Sequence, residues 1–461
     1  MPGNTHLHLK VKVIDLMMAT LGYLTENDKL FKITYRMLAK LAEEVAQKDY
    51  YVRKIRWIRD LFDQDHPSVN IAKRFLSYPN PHHRKTIIRS FILNEMLLGT
   101  NKRKAFAQAP GGFYPPGMIV ISPTMRCNLN CTGCYAGSYS KDELSLDTIN
   151  RVLAEAKEMG THFITVSGGE PFFRKDIFEV FRRHRDVAFL VFTHGGLIDE
   201  KMAEQIIDVG NVAPAISVEG FREHTDRRRG VGHFDRVMRA MDMLREAGVI
   251  FGYSATQTRE NSDIVTSDAF VDMLREKGCL LGFHFMYVPV GRDPDLNLMP
   301  TPAQRDQFRA SLSRWRNTRD ILFLDFWNDG PVIGGCMSGA RKYCHINARG
   351  DVEPCVFCHF ATHNIHQCSL KEALNSPLFQ AIRSQQPFHD NLLRACMLVD
   401  KPSVGREMAL SQGAYFTHEG AEGIFTGLAD DIDRFADDYR TYADCAWEQE
   451  YLPARRSPSA T

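Results

Sequence analysis

The sequence of 461 residues lacks any long apolar run and has almost no net charge. No stretch of about 18 or more uncharged apolar residues occurs, which excludes an obvious transmembrane helix. With 44% hydrophobic and 25% charged residues, the composition is that of an ordinary globular protein. Charges interrupt the apolar part of the first residues, MPGNTHLHLKVKVIDLMM, so we expect no signal peptide and a cytoplasmic location.

Cysteine is also scarce for a chain of this length. Eleven cysteines are too few for a disulfide scaffold of 461 residues. In a cytosolic chain, clustered cysteines more often bind metal than pair with each other, and a secreted, oxidised form is the weaker alternative.

The near-zero net charge hides an uneven distribution. Residues 1–115 contain 19 Lys and Arg against 10 Asp and Glu, whereas the rest of the chain contains 38 against 46. A basic segment suits an anionic partner such as a membrane surface, a phosphorylated substrate or a nucleic acid, although a solvated face is an equal alternative. No RNA-binding motif occurs, so we expect no nucleic-acid partner.

Residues 1–115 are predicted to be helical. Apolar residues recur at helical spacing in two segments, at Ile33, Met37, Leu38, Leu41 and Val45, and at Ile55, Ile58, Leu61 and Phe62 with Arg53, Lys54, Arg56 and Arg59 around them. A third helix, TIIRSFILNEMLLG, has Gly99 as its expected end. Such stripes usually pack in a core, but a basic amphipathic helix can also lie on lipid, so peripheral contact at the inner membrane face is one option.

From Met118 the pattern changes to short apolar runs alternating with helical stretches. The predicted strands are 118–122, 162–167, 189–193, 214–218, 249–255 and 283–290, and the predicted helices are 145–159, 176–185, 199–208, 233–247 and 266–278. Six such repeats predict an α/β fold, a partial (βα)6 TIM-like barrel whose ligands bind at the C-terminal strand ends. The expected domains are 1–115, helical and basic; 116–325, the barrel; 326–400, a small cysteine-containing domain; and 401–461, helical.

The segment RCNLNCTGCYAG, residues 126–137, places Cys127, Cys131 and Cys134 directly after the first predicted strand. Three close thiolates suit an iron–sulfur cluster. If the protein ligates only three irons of a four-iron cluster, the fourth iron is open to a substrate. A zinc ion completed by a distant Cys or His is the alternative.

The Cys-x3-Cys-x2-Cys spacing followed by the aromatic Tyr135 resembles the radical SAM superfamily, in which the open iron binds S-adenosylmethionine (SAM). Five further segments at successive strand ends support the resemblance: SGGEP (167–171), FTHGG (192–196), ISVEG (216–220), RRRGVGHF (227–234) and MYVPVGR (286–292). His194 departs from the Asn usual in the family. The resemblance implies that SAM contacts Tyr135, Gly168, Gly169, Glu170, Pro171, Thr193, His194, Ser217, Glu219, Arg229 and Tyr287, with Arg229 pairing with its carboxylate.

The resemblance implies an enzyme that cleaves SAM with one electron, forming a 5′-deoxyadenosyl radical that abstracts hydrogen from an unactivated carbon. A flavodoxin or ferredoxin is the expected reductant. The residues identify no general base, and His284 and Tyr287 are only candidates at the barrel rim. A non-catalytic iron–sulfur electron carrier or redox sensor is the non-enzyme alternative.

A second cysteine cluster, CMSGARKYCHINARGDVEPCVFCHF at 336–360, resembles the C-terminal SPASM or shorter twitch extension of the superfamily. The usual seven-cysteine run is absent, so the resemblance implies one auxiliary iron–sulfur cluster. Its expected ligands are Cys336, Cys355 and Cys396, with Cys344 or Cys358 as the fourth, and a zinc ribbon-like site is the alternative. We expect Cys279, Cys368 and Cys445 to be buried structural thiols.

The substrate is less defined. Relatives of the SPASM type often modify ribosomally made peptides and carry an N-terminal peptide-recognition domain with strands, which residues 1–115 do not resemble. The basic amphipathic helices favour a lipid or membrane-associated substrate in which a new bond is formed. Maturation of a ribosomally made peptide is the alternative.

Overall fold

The computed structural model of the chain describes residues 25, 27–45, 49–64, 66–138 and 142–452. Within these ranges, none of the helices combines the length and the apolar character needed to cross a bilayer. The described residues form helices first, then a curled parallel sheet covered by helices, and last short strands and further helices.

Within the described residues, five α-helices and one π-helix precede the sheet. They are α1 (Asp28–Val45), α2 (Asp49–Asp63), α3 (Pro67–Leu76), α4 (Pro81–Ile87), the π-helix Ile88–Gly99 and α5 (Thr100–Gln108). Gly99 does not end a helix, because the backbone stays helical through Thr100. Gly99 instead packs against the carbonyl of Gly160, where no Cβ would fit.

The first two helices pack only partly through the stripes that their periodicity predicts: Leu38 and Phe62 of those stripes pack together with Phe31, which lies outside them. Phe31 and Phe62 are buried and pack with Tyr35. Ile33 and Met37, predicted to lie on the packed stripe, are 44% and 61% exposed. The side chains of Leu41, Val45, Arg53 and Lys54 lie outside the described residues.

A buried ion pair attaches the N-terminal helices to the sheet. Glu95 and Arg103 lie 2.6 Å apart, with both side chains almost fully buried. Glu95 also accepts a hydrogen bond from the backbone N–H of His162, and Arg103 donates to the carbonyl of Gly160. Because both backbone groups precede the second strand, these helices cover the N-terminal ends of the strands, opposite the end where ligands bind.

Seven parallel strands form the curled part of the sheet, in the order in which they occur along the chain. They are β1 (Met118–Ile121), β2 (Phe163–Val166), β3 (Ala188–Thr193), β4 (Val212–Ser217), β5 (Gly252–Gln257), β6 (Leu281–Met286) and β7 (Leu322–Asp325). The six predicted strands are present, and β7 is an additional one. The partial-barrel fold is confirmed.

Helices connect the strands on the outer face of the sheet. They are α6 (Leu146–Met159), α7 (Ile177–Arg183), α8 (Glu200–Val209), α9 (Arg222–Arg229), α10 (His233–Ala247), α11 (Ser262–Val265), α12 (Asp268–Glu276) and α13 (Pro302–Arg316). The sequence sets their ends: Ser145 caps α6 by accepting a hydrogen bond from the backbone of Thr148, and Gly160 ends it with a left-handed φ of 95°.

The last part of the chain returns to the first strand. Helix α14 (Gly330–Ile333) follows β7, and then β8 (Tyr343–Ile346) pairs in parallel with β1 and antiparallel with β9 (Val352–Glu353). This pairing brings the second cysteine cluster beside the strand that precedes the first one. The remaining elements are β10 (Phe360–Ala361), α15 (Leu370–Leu374), α16 (Pro377–Ser384), α17 (Pro402–Ser411), β11 (Tyr415–Phe416) and α18 (Ala429–Ala446). The division into four domains stays a prediction.

Candidate functional site

The first cysteine cluster lies on a loop at the C-terminal end of β1. Cys127 is exposed, and Cys131 and Cys134 are half-buried. The pKa of the Cys127 thiol is raised to about 11, first by loss of water around the sulfur and then by charges that include Glu170, Cys131 and Cys134. The three cysteines lie within eight residues of one loop, as ligands of one cluster can.

Arginines from two other segments hold this loop. The side chain of Arg228 donates to the carbonyl of Thr132 at 3.2 Å, and that of Arg292 donates to the carbonyl of Cys131 at 2.9 Å. One guanidinium nitrogen of Arg229 lies 4.0 Å from the Cys131 sulfur. These cations favour thiolates, the form in which cysteine binds metal. Sequence reasoning missed the loop contacts of Arg228 and Arg292, although both lie in the quoted motifs.

A buried carboxylate pairs with two of these arginines. Glu219 is 1% exposed, and its carboxylate lies 2.8 Å from Arg228 and 2.9 Å from the Nε of Arg229. Burial alone would raise the pKa of Glu219, but the two guanidinium groups hold it below its ordinary value. Two cations facing one anion leave a positive charge beside the loop, which suits the carboxylate of SAM.

The SGGEP loop packs directly under the cysteine loop. The backbone N–H groups of Gly169 and Glu170 donate to the carbonyls of Thr124 and Arg126. Gly168 has a φ of +110°, and a Cβ at Gly168 or Gly169 would collide with the 122–126 backbone. These two positions therefore require glycine.

The Glu170 carboxylate is turned into the protein. It accepts hydrogen bonds from the Thr193 hydroxyl at 2.8 Å and from the backbone N–H groups of His194 and Phe172. Burial raises the pKa of Glu170 to about 7, although these donors oppose the rise. Both oxygens have protein donors, so Glu170 holds the β2 and β3 loops together. The backbone groups of the SGGEP loop therefore remain to bind a ligand in place of the Glu170 side chain. Pro171 is buried in the same loop.

The other predicted SAM contacts lie around the same strand ends. The hydroxyl of Tyr135 lies 2.6 Å from that of Ser167, and the hydroxyl of Ser217 lies 3.1 Å from that of Ser254. Tyr287 packs its ring against Gly133 in the cysteine loop. The structure thus brings the predicted positions to one end of the barrel, and their contacts with SAM remain a prediction.

His284 is not at the barrel rim, which corrects its prediction as a candidate base. Its side chain is fully buried, hydrogen-bonded to the Tyr253 hydroxyl at 2.9 Å and packed against Phe308 and Trp315. Residues alternate between the two faces of a strand, so His284 points toward the covering helices, and its neighbours Phe283 and Phe285 are the half-buried residues of β6.

Four cysteines of the second cluster line one cavity with a largely apolar wall. They are Cys336, Cys355, Cys358 and Cys396. Tyr343, also in this wall, donates its hydroxyl hydrogen to the Cys355 sulfur at 2.7 Å. Four thiols around an apolar cavity fit a fully ligated four-iron cluster.

Cys344 does not belong to this set. It is fully buried within β8, opposite Ile119 of β1, and burial alone raises its pKa to about 12. The cavity wall contains Cys358 instead. Of the two cysteines that the prediction left open, the cavity lining favours Cys358 as the fourth ligand, and the ligand set itself stays a prediction.

A buried polar cluster holds the turn that carries Cys396. The Asp400 carboxylate accepts a hydrogen bond from the Cys396 backbone N–H at 2.9 Å and pairs with Arg305 of α13 at 2.5 Å. The Arg305 guanidinium stacks 3.7 Å from the ring centre of Tyr439 in α18. Elements outside the cysteine cluster therefore position its last member.

The two cysteine sites are linked by aromatic contact. The ring of Tyr135, which follows Cys134, lies 5.6 Å from that of Phe357, which lies between Cys355 and Cys358.

Among the other cysteines, Cys279 is buried and Cys368 half-buried, whereas Cys445 is exposed, contrary to expectation.

A single-ion site would need a different arrangement of these thiols. Among the described residues, no three His, Cys, Asp or Glu side chains form a group that could hold one metal ion. A zinc ion requires its sulfurs to converge at about 2.3 Å from one point. A four-iron cluster binds each sulfur to a different iron, so its thiols lie farther apart than the ligands of a single zinc ion.

Comparison with known proteins agrees with both sites. The family model of the radical SAM superfamily matches residues 121–257, and that of an iron–sulfur cluster-binding domain, SPASM, matches residues 336–397. The mycofactocin maturase MftC of Mycobacterium tuberculosis is 30% identical over 294 residues, which cover 60% of this chain and 74% of that protein.

Two further similarities extend the comparison. The Fe-coproporphyrin III synthase of Methanosarcina barkeri is 30% identical over 233 residues, which cover 47% of this chain and 57% of that protein. The crystal structure of Streptococcus suis SuiB bound to S-adenosylmethionine is 18% identical with a TM-score of 0.53, covering 71% of this chain and 87% of that one. The latter similarity concerns the fold.

Proposed function

The chain belongs to the radical SAM superfamily, and from this premise we propose that it is a peptide maturase that forms a new bond at an unactivated C–H group. The coarser part of this function is established by family membership: the protein is a radical SAM enzyme with a four-iron cluster, SAM and an auxiliary iron–sulfur site. The substrate and the bond are the proposal.

The residues divide the work in a defined way. Cys127, Cys131 and Cys134 would hold the cluster, which with SAM supplies a 5′-deoxyadenosyl radical for hydrogen abstraction. The excess positive charge of Arg228 and Arg229 would fix the SAM carboxylate. The barrel around them would orient the substrate and exclude water.

One observation supports a peptide substrate above the others. The mycofactocin maturase is 30% identical to this chain, and the alignment covers 74% of its length. The prediction of a lipid substrate was based on the amphipathic helices of residues 1–115. Neither the mycofactocin maturase nor the Fe-coproporphyrin III synthase supports it. The peptide alternative therefore becomes the main proposal.

The auxiliary site supports an oxidised product. Removal of a hydrogen atom leaves one unpaired electron on the substrate carbon, and closing a new bond with loss of a proton requires that this electron leave. Four thiols around the auxiliary cavity leave no iron free to bind the substrate, so this site suits an electron acceptor. The contact between the rings of Tyr135 and Phe357 supports this role, because it joins the wall of the auxiliary cavity to the cysteine loop.

A tetrapyrrole is the second candidate substrate, because the Fe-coproporphyrin III synthase is also 30% identical to this chain. Its alignment covers only 57% of that protein, less than for the maturase. The two candidates differ in product, so one experiment separates them.

The experiment uses the protein reconstituted with iron and sulfide without oxygen, with SAM and dithionite. Candidate peptides, encoded by short reading frames beside the gene, are compared with iron tetrapyrrole precursors of iron-coproporphyrin III and with a membrane lipid extract. We expect 5′-deoxyadenosine to increase with one peptide, whose mass falls by a pair of hydrogen atoms. A product formed only from a tetrapyrrole or a lipid would refute the maturase proposal.

A further inference from the structure

The side chain of His194 joins three segments of the proposed SAM site. Its Nδ1 lies 2.9 Å from the backbone nitrogen of Gly196, and its Nε2 lies 2.8 Å from the side-chain oxygen of Asn128 in the cysteine loop. Its own backbone N–H donates to Glu170, and its carbonyl faces the ring of His233. Only 4% of the side chain is exposed.

These contacts define the tautomer. The Gly196 backbone N–H can only donate, so Nδ1 of His194 must accept and carries no hydrogen. The remaining ring hydrogen is then on Nε2, which lies 2.8 Å from the Asn128 oxygen and 3.3 Å from a carboxylate oxygen of Glu170, so Asn128 is the nearer acceptor. Burial lowers the pKa of His194 to about 4, in agreement with a neutral ring.

The length of the histidine ring makes the link to the cysteine loop. An asparagine side chain at this position could place a polar atom near Nδ1, but it is too short to reach the position of Nε2. It would keep the contact with Gly196 and lose the one with Asn128. The departure from asparagine therefore adds a bond between the end of β3 and the loop.

We propose that His194 is a positioning residue that holds Asn128, and with it the Cys127–Cys131 segment, in place before the cluster binds. The proposal rests on the radical SAM assignment of this loop and is independent of the substrate. A loop held in its binding geometry loses less conformational freedom when it closes on the cluster, which favours loading.

The test measures hydrogen exchange of residues 126–137 in the cluster-free protein, with iron content after reconstitution as the second readout. His194→Asn should speed exchange in this segment roughly three- to tenfold, the loss expected for one hydrogen bond. His194→Gln, whose amide nitrogen reaches the Nε2 position, should restore slow exchange and iron loading. Exchange in β3 should stay unchanged in both variants.

The chain supplies a matched control. Nε2 of His184 lies 2.9 Å from the side-chain oxygen of Asn150, the same kind of bond away from the cysteine loop. His184→Asn should leave exchange of residues 126–137 at the wild-type rate. Equal acceleration in His184→Asn and His194→Asn would overturn the proposal.

A variant on the other partner covers the case in which a substitution at His194 prevents folding. Asn128→Ala should reproduce the faster exchange, and the His194→Asn/Asn128→Ala double variant should add nothing to either single change. Additive effects, or unchanged exchange in Asn128→Ala, would refute the proposal.

Discussion

The two cysteine sites of this protein are built in opposite ways. The cysteine loop, residues 126–137, holds three cysteines within eight residues, and Cys127 is exposed. Side chains from later segments hydrogen-bond to its backbone. The auxiliary site gathers four cysteines from residues 336 to 396 around one largely apolar cavity. A short motif can thus define a site with an open iron, whereas a fully ligated site depends on tertiary packing.

The first prediction separates the sites and has the largest expected effect. The Cys127→Ser/Cys131→Ser/Cys134→Ser variant should form no detectable 5′-deoxyadenosine, because the iron that binds SAM is lost. It should keep about four of roughly eight irons per chain, since the auxiliary ligands are unchanged. Iron analysis and mass spectrometry check both numbers. Loss of all iron would show that the sites are not independent.

The second prediction tests which cysteine completes the auxiliary set. Cys358→Ala should lose about four irons per chain, because it removes a sulfur from the cavity wall. Cys344→Ala is the matched control, because Cys344 is buried within β8 beside β1. The iron content of this variant should equal that of the wild type. The opposite pattern would return Cys344 to the ligand set.

The third prediction tests how packing holds the auxiliary site. Asp400→Asn breaks the buried pair with Arg305 and should lower the free energy of unfolding by about 3–5 kcal/mol. The auxiliary iron should be lost first, because Asp400 also binds the backbone of Cys396. Chemical denaturation and iron analysis measure the two effects.

The exposed ion pair between Arg222 and Asp235 provides the control for that change. Asp235→Asn should alter neither unfolding nor iron content measurably, because exposed pairs contribute little. An Asp400→Asn variant with normal auxiliary iron would contradict the positioning role of this cluster.

The smallest effect is expected from a single hydrogen bond to sulfur. Tyr343→Phe removes the hydroxyl that donates to Cys355 and should lower the reduction potential of the auxiliary cluster, because donors to cluster sulfurs favour the reduced form. Tyr253→Phe removes a buried hydroxyl that contacts His284 instead and should leave the potential unchanged. Redox titration followed by electron paramagnetic resonance checks both variants, and an equal shift in the two would refute the assignment.

The contrast between the sites also explains how far the sequence predicts the structure. The cysteine loop and six strands were predictable because their residues are contiguous and their patterns strong. The strand Leu322–Asp325 was missed, although its four residues make it no shorter than β1 or β2. His284 was misplaced because a motif gives position along a strand but not the face.

The auxiliary site was predictable only in part for a related reason. The resemblance to the SPASM extension implied Cys336, Cys355 and Cys396 as ligands but left the choice between Cys344 and Cys358 open. The pairing of β8 with β1 distinguishes them, because it buries Cys344 within the sheet. The role of Asp400 and Tyr439 depends on contacts between distant segments, which no local pattern contains.

In the proposed assignment, the loop of Cys127, Cys131 and Cys134 binds the cluster with the open iron. Every iron of the auxiliary cluster has a cysteine ligand. Electron–nuclear double resonance of the reduced protein with nitrogen-labelled SAM tests this assignment directly. We predict coupling of the label to a cluster in the wild type and none in the triple cysteine variant, which keeps its auxiliary cluster. Coupling that persists in the triple variant would place the open iron at the auxiliary site and contradict this assignment of the two clusters.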